Sequence, residues 1–153
     1  MARWRVHSPL RRTESWVSTP GTCASMQSNR GRDTSHELAV GRRLHALGLR
    51  YRVSIRPISN VRRTADIVFT RTKVAVFIDG CFWHGCPAHY QAPARNAEFW
   101  LEKRRRNQER DVETDAKLAE TEWRVLRYWE HGVRAASDNV ARSIANEIRS
   151  QRS

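Results

Sequence analysis

The chain has 153 residues, with 28 lysines and arginines against 16 aspartates and glutamates, a formal net charge of +12 and a pI near 11.0. That length suits one compact domain and leaves no room for a second full one. So strong a positive field favours a polyanionic partner, because neutralising phosphates releases condensed counterions, although charge alone fits a merely soluble basic protein equally well.

Three cysteines, Cys23, Cys81 and Cys86, are an odd number without the spacing of a disulfide framework, which suits a reducing compartment and a metal or core role. The basic start, Met1 to Arg12, is followed by no apolar stretch of the roughly 7 to 15 residues that a secretory signal needs. The longest aliphatic and aromatic run, Val74 to Ile78, is far shorter than the roughly 20 residues that span a bilayer. The expectation is a cytoplasmic protein without a membrane segment.

The first residues mix Arg, Ser, Thr, Pro and Gly without periodicity and read as a basic leader, 1–25, ahead of a folded domain, 26–153. Thr34-Ser35-His36-Glu37 has the form of a capping box, and Leu38, Val40, Leu44 and Leu47 give the helix that follows an apolar face before Gly48. Arg50 to Ile55 alternates weakly and ends before Pro57. Ala65 to Phe69 and Val74 to Ile78 are β-rich runs joined by Thr70-Arg71-Thr72-Lys73, a hairpin pattern. A two-residue turn at Thr72-Lys73 pairs Arg71 with Val74 and sets Asp66 opposite Asp79, with Cβ atoms about 5 Å apart. Gly80 to Arg95 reads as a long functional loop. Asn96 to about Glu120 reads as a helix whose middle, Lys103 to Asp111, offers almost nothing apolar and so faces solvent or a charged partner. Trp123 to Glu130 reads as a strand, and Val140, Ile144 and Ile148 mark a last amphipathic helix after Ser137. The class is α/β, a mixed sheet covered by helices.

Two carboxylates at the mouth of an apolar hairpin ask for a cation or a shared proton, and hard oxygen donors suit magnesium. Asp79-Gly80 as a simple turn, with Asp66 a solvated edge, is the competing account. Phe82 and Trp83 fit insertion between bases, or an ordinary core. His84 fits a general base for water, or a hydrogen-bonded scaffold element. Cys86 and His89 have a C-x-x-H spacing that delivers a sulfur and a nitrogen to zinc, which needs four ligands. His131, just after a strand, and Asp111, on the helix face of Trp100, Arg104 and Asn107, are candidate completions. Arg104, Arg105 and Arg106 are candidate phosphate contacts.

Asp66-Ile67-Val68, Phe77 to His84, Glu98 to Lys103 with Asn107 and Glu109-Arg110-Asp111, then Trp123 to Leu126 and Trp129-Glu130 resemble successive blocks of the very short patch repair (Vsr) endonuclease family. The likeness runs from about Met26 to the final helix. It implies a restriction-endonuclease-like mixed sheet flanked by helices with a structural zinc site. The implied activity is magnesium-dependent nicking of one strand 5′ of the thymine in T:G mismatches. The resemblance assigns magnesium binding to Asp66 and the backbone carbonyl of Ile78, the general base to His84, and a second polar position to Asp79. It also puts the family's helix glutamate on Glu37, a residue the capping box explains as well. The base-step wedge falls on Phe82, Trp83 and Trp100, and the zinc ligands on Cys86, His89, Asp111 and His131. Some members carry histidine where this chain has Asp79, and a His-rich run where it has Gly85-Cys86-Pro87, so ligand types are exchanged between zinc positions. The implied partners of a monomeric enzyme are double-stranded DNA with a T:G mismatch, mismatch-repair proteins and a resynthesising DNA polymerase. Three rivals stand beside this reading: a restriction-type nuclease without mismatch preference, a non-catalytic zinc-stabilised DNA-binding module, and a cysteine-nucleophile enzyme built on Cys81 and His84.

Overall fold

The computed structural model describes residues 35–153. The 1–25 leader, Cys23 and the Thr34 end of the capping box lie outside the described residues. The described order is helix α1 (Ser35–Ala46), strands β1 (Arg52–Ile55), β2 (Ala65–Phe69) and β3 (Val74–Asp79), short helix α2 (Cys81–His84), helix α3 (Ala97–Glu120), strand β4 (Arg124–Trp129) and helix α4 (Glu130–Ser150). The strands form one sheet in the order β1-β2-β3-β4, with two antiparallel pairings and a parallel β3–β4 pair. A mixed sheet flanked by helices is thus what the chain builds. The parallel pair has the long crossover it requires, because α2 and α3 intervene before β4.

Strand alternation sorts the side chains into two layers. Ile67, Phe69, Val74 and Val76 pack under α1 and α4 against Val40, Leu44, Val140, Ile144 and Ile148. Val68, Ala75 and Phe77 face the other way and meet Leu118 of α3. Helix α3 buries only Trp100, Thr114 and Leu118 over its 24 residues. Its middle, lacking apolar side chains as the sequence requires, therefore stands over the sheet edge as one wall of a polar cleft. Asp79 lies on the face of Ala75 and Phe77, and Asp66 on the face of Val68, so both carboxylates are directed toward that cleft.

Three expectations change. The hairpin register runs Ile67↔Val76, Val68↔Ala75 and Phe69↔Val74. One further step puts Asp66 opposite Phe77 and leaves Asp79 diagonal to it, a relation with a typical spacing of about 7 to 8 Å. The cause is the turn: residues 70–73 all lie outside the strands, with Lys73 at φ 50°, so the connection is two residues longer than expected. A shift of two preserves the face of every side chain, so the core pattern survives the error. The last helix starts at Glu130 rather than after Ser137, because the structure continues helical backbone through residues 130–135 and kinks at Ala136 (φ −148°, ψ 56°). The loop expected from Gly80 to Arg95 contains α2 at its head. Among the described residues no helix is long and apolar enough to cross a membrane.

Ile144 is fully buried between α4 and the sheet. Ile144→Ala should cost about 2 to 5 kcal/mol in urea unfolding, the usual range for losing a core aliphatic side chain.

Candidate active site

Three carboxylates from three elements converge at the cleft. Asp66 on β2 accepts a hydrogen bond from the Ile78 backbone N–H across the hairpin at 2.6 Å. Burial pushes its carboxyl up to about 6. The Ile78 N–H acts in the opposite direction, while the negative charges of Glu37 and Asp79 raise it further and Arg63 lowers it. Glu37, in the first turn of α1, therefore contributes its charge to this site besides serving its helix end. A carboxyl raised first by burial and then by two neighbouring acids is one whose ionised form a cation would favour.

His84 closes α2 and is wedged between two of these acids. Its Nδ1 lies 2.5 Å from Asp111 Oδ2 on α3, and its Nε2 lies 3.8 Å from Asp79 Oδ1. Burial would raise Asp111, but the His84 hydrogen bond and the charges of Arg127 and Arg63 outweigh it and hold the carboxyl below its ordinary value. An ionised Asp111 can only accept, so His84 Nδ1 donates to it and Nε2 is the ring nitrogen left facing Asp79 and the cleft. Asp111 was expected among zinc ligands; the structure gives it to His84 and to Arg63, whose Nη2 donates to Asp111 Oδ1 at 2.7 Å.

Asp79, only 8% exposed, is neutralised by Arg127, whose Nη1 reaches both carboxylate oxygens at 2.9 and 3.0 Å. Arg127 stands opposite Phe77 in the β3–β4 ladder, lies 4.5 Å over that ring and also binds Asp115 at 2.8 Å. Burial alone would lower its guanidinium, but the Asp115 hydrogen bond and the charges of Asp79, Asp111 and Asp115 raise it. Arg63 and Arg127 were missed by sequence reasoning. Only β4's position beside β3, which no local pattern carries, identifies Arg127.

Helix α2 is held by α3: Asn107 Nδ2 donates to the Trp83 carbonyl at 3.1 Å and Gln108 Nε2 to the His84 carbonyl at 3.0 Å. These bonds satisfy C-terminal carbonyls that so short a helix cannot pair itself. Gly85 ends it in the left-handed region at φ 69°. The rings of Phe82 and Trp83 meet edge-to-face at 5.3 Å and lie 5.4 and 6.0 Å from Trp100. Phe82 and Trp83 are half-buried, whereas Trp100 is 5% exposed, so its ring braces the other two from below rather than presenting a face of its own. Lys103 Nζ sits 5.0 Å over Trp83.

Beside this cleft, Cys81, Cys86, His89 and His131 offer four ligand atoms all within 4.8 Å of one another. Sγ of Cys81 lies 3.2 Å and Sγ of Cys86 3.5 Å from His131 Nδ1, and Cys86 Sγ lies 3.8 Å from His89 Nδ1. Sulfur and nitrogen ligands on a tetrahedral zinc stand about 3.6 Å apart, so the donor set fits that ion. Burial pushes the Cys81 thiol up; burial acts the same way on Cys86, but hydrogen bonds with His89 and the backbone bring that thiol down. Cys81 replaces Asp111 in the expected set of Cys86, His89 and His131. The spacing Cys81-x4-Cys86-x2-His89 was the available signal, and the same contacts turn Cys81 toward His131 rather than toward His84 as a nucleophile would require.

Residues 18–89 match the family model described as DNA mismatch endonuclease Vsr. Over 113 residues the chain is 49% identical to the type II nicking enzyme V.NaeI of Lentzea aerocolonigenes, covering 72% of this chain and 68% of that protein. It is 37% identical over 126 residues to the type II nicking enzyme V.NmeDIP of Neisseria meningitidis serogroup C, covering 81% and 83%. With the DNA mismatch endonuclease Vsr of Escherichia coli it shares 35% identity over 111 residues, covering 72% and 69%. The chain belongs to the Vsr family. A Vsr-family endonuclease is a protein that acts on DNA, and the net charge of +12 suits that partner.

Of the arginines expected to meet phosphate in this Vsr-family chain, Arg105 and Arg106 are bound to Glu102 at 2.8 Å each, and Arg104 lies 4.3 Å over Tyr90. The two guanidinium hydrogen bonds hold the exposed Glu102 carboxyl down at about 2. Arg62 and Arg110, by contrast, line a cavity of about 560 Å3 along α3 next to Arg63.

A Cβ on Gly85 would meet Arg104 Cδ at 2.4 Å, on top of its positive φ. Gly85→Ala should therefore destabilise the domain by about 1 to 3 kcal/mol and shift the Phe82 and Trp83 environment, read by melting and by tryptophan fluorescence.

Proposed function

We propose that this chain is a DNA nicking enzyme that hydrolyses one strand 5′ of the thymine in T:G mismatches, with magnesium at the three-carboxylate cleft and zinc in the cysteine–histidine cluster. The observation that carries the reading is the His84–Asp111 pair at 2.5 Å, set beside the buried Asp66 and on the same helical turn as Phe82 and Trp83. The names of the relatives, nicking enzymes and a mismatch endonuclease, support single-strand scission and a mispaired substrate.

Asp66 and the Ile78 carbonyl would hold magnesium, with Glu37 near enough to act through its charge. When bound, the ion supplies electrostatic stabilisation of the charge developing on the phosphate. His84 Nε2 takes a proton from water while Asp111 keeps the ring oriented and stabilises the imidazolium that results. The water oxygen bonds to phosphorus and the bond to O3′ breaks, leaving a 3′ hydroxyl after proton uptake and a 5′ phosphate. Arg127 fixes Asp79 in place with bonds of 2.9 and 3.0 Å, so its carboxylate stands 3.8 Å from His84 Nε2, where it would stabilise the positive ring formed when that nitrogen takes the proton. Phe82 and Trp83, braced by Trp100, would part a base step, at a cost lowest where pairing is already imperfect. Cys81, Cys86, His89 and His131 would hold zinc as a cross-link between α2 and the start of α4.

The deciding experiment is nicking of matched and T:G duplexes with and without magnesium. Magnesium-dependent nicking confined to the T:G strand is expected; equal nicking of matched duplex would remove the mismatch preference. His84→Ala should slow single-turnover nicking by about 10² to 10⁴, and Asp111→Asn by a similar or smaller factor, without loss of fold. Cys81→Ser should lose bound zinc in metal analysis and melt earlier, while Asp111→Asn should retain about one zinc per chain, separating the two clusters.

Asp66 also sets a pH dependence. Its folded carboxyl is raised to about 6, so ionising it costs native stability progressively as pH rises from about 4 through 6. The full cost, on the order of 3 kcal/mol, is present above that window. Bound magnesium should offset it. Magnesium should raise the melting temperature more at pH 7.5 than at pH 5, and Asp66→Asn should abolish the difference; equal shifts at both values would place the ion elsewhere.

A further inference from the structure

At the end of the sheet away from the active site, the β2–β3 turn, the entry to β1 and the chain after α4 enclose a cavity of about 460 Å3. Arg50, Arg52, Arg71 and Arg152 line it together with Thr70 and Thr72, and no acidic residue does. None of the four arginines has a carboxylate partner among the described residues, whereas Arg63, Arg105, Arg106, Arg127 and Arg134 all do. Arg50 alone spends a guanidinium hydrogen bond, on the neighbouring Leu49 carbonyl at 3.3 Å. The Thr72 side-chain oxygen is shielded from water and has no hydrogen-bond partner, so the groups open to a guest in this hollow are the guanidiniums. Four cations around one hollow repel each other, and an oxyanion relieves that repulsion.

We propose that this cavity is a phosphate-binding site separate from the active site, which takes backbone phosphates of the DNA outside the segment being nicked. Its chemistry is bidentate guanidinium binding of tetrahedral phosphate oxygens, which a phosphodiester of DNA and a free phosphate share. Four arginines exceed what one small anion needs and match adjacent backbone phosphates. Strand β3 separates the cavity from Asp79 by its six residues, Val74–Asp79, a distance of about 20 Å. That corresponds to about six steps of a DNA strand, so a duplex must extend beyond the nick, or bend, to reach it. The inference needs only that the chain binds DNA and is independent of the metal and of the mismatch preference.

The test compares wild type with the combined variant Arg50→Gln, Arg52→Gln, Arg71→Gln, Arg152→Gln. All four side chains are exposed and none lies in the active-site cleft. Binding is measured without magnesium at several salt concentrations, on duplexes of about 10 and about 40 base pairs centred on the mismatch, lengths that fall short of and exceed the reach of the cavity. The variant should bind the long duplex about tenfold more weakly, with a salt slope shallower by about 1 to 2. It should bind and nick the short duplex as wild type does. Equal losses on both lengths would assign the arginines to a diffuse field and overturn the site, as would an unchanged long duplex together with no response to phosphate. In the second arm, pyrophosphate is titrated against melting temperature. Stabilisation of wild type but not of the variant, without a length effect, supports the site and assigns it to free phosphate. Failure of wild type to nick the short duplex would count against the proposed reaction, not against this site.

Discussion

The structure turns on the burial of acid. Asp66, Asp79 and Asp111 come from two strands and a helix into one cleft, with Glu37 close enough to be felt. Uncompensated, such a set would be driven to protonate or to open the fold. Two arginines divide the problem. Arg127 neutralises Asp79 and, with Arg63, supports Asp111, whereas Asp66 receives one backbone hydrogen bond and keeps a raised carboxyl. The acids thus differ in their surroundings: Asp79 and Asp111 are fixed in place by arginine, and Asp66, with the least positive charge beside it, is the one that the proposed metal ion would complete.

Helix α2 transmits this arrangement to the aromatic step. Its single turn begins at Cys81, in the cysteine–histidine cluster, and ends at His84, on Asp111. Asn107 and Gln108 of α3 hold its carbonyls, and Gly85 lets the chain turn away beneath Arg104. A four-residue helix has almost no stability of its own. Both of its ends are tied, so Phe82 and Trp83 between them are displayed at a defined distance from His84. Loosening either cluster would therefore disturb both chemistry and recognition.

Positive charge is distributed unevenly over the described surface. Along α3 much of it is consumed in exposed pairs such as Arg105 and Arg106 with Glu102, which contribute little to stability and remain exchangeable. Cations without acidic partners gather in two places, beside the cleft at Arg62 and Arg110 and at the far end of the sheet. A charge total of +12 contains no hint of this partition.

Local physics was legible in the sequence. Alternating β-branched runs, the apolar-poor middle of α3 and the period of Val140, Ile144 and Ile148 marked the three long helices and all four strands by type, though not the Glu130 start of α4, because a side chain's preference for one face is set by its near neighbours. The same local reading singled out Asp66, His84, Cys86, His89 and His131, which the structure gathers at the cleft and in the cysteine–histidine cluster. What needed the tertiary structure was partnership. Asp111 meets His84 and Cys81 meets His131, contrary to expectation, because such distances are decided by how α3 and α4 pack on α2, not by spacing along the chain. The register of Asp66 depended on a turn with Lys73 in the left-handed region, and Arg127 entered the site only through the parallel pairing of β4 with β3. Sequence determines which groups are present and which way each faces; long-range packing decides which of them meet, since contact energies between distant elements leave no periodic trace.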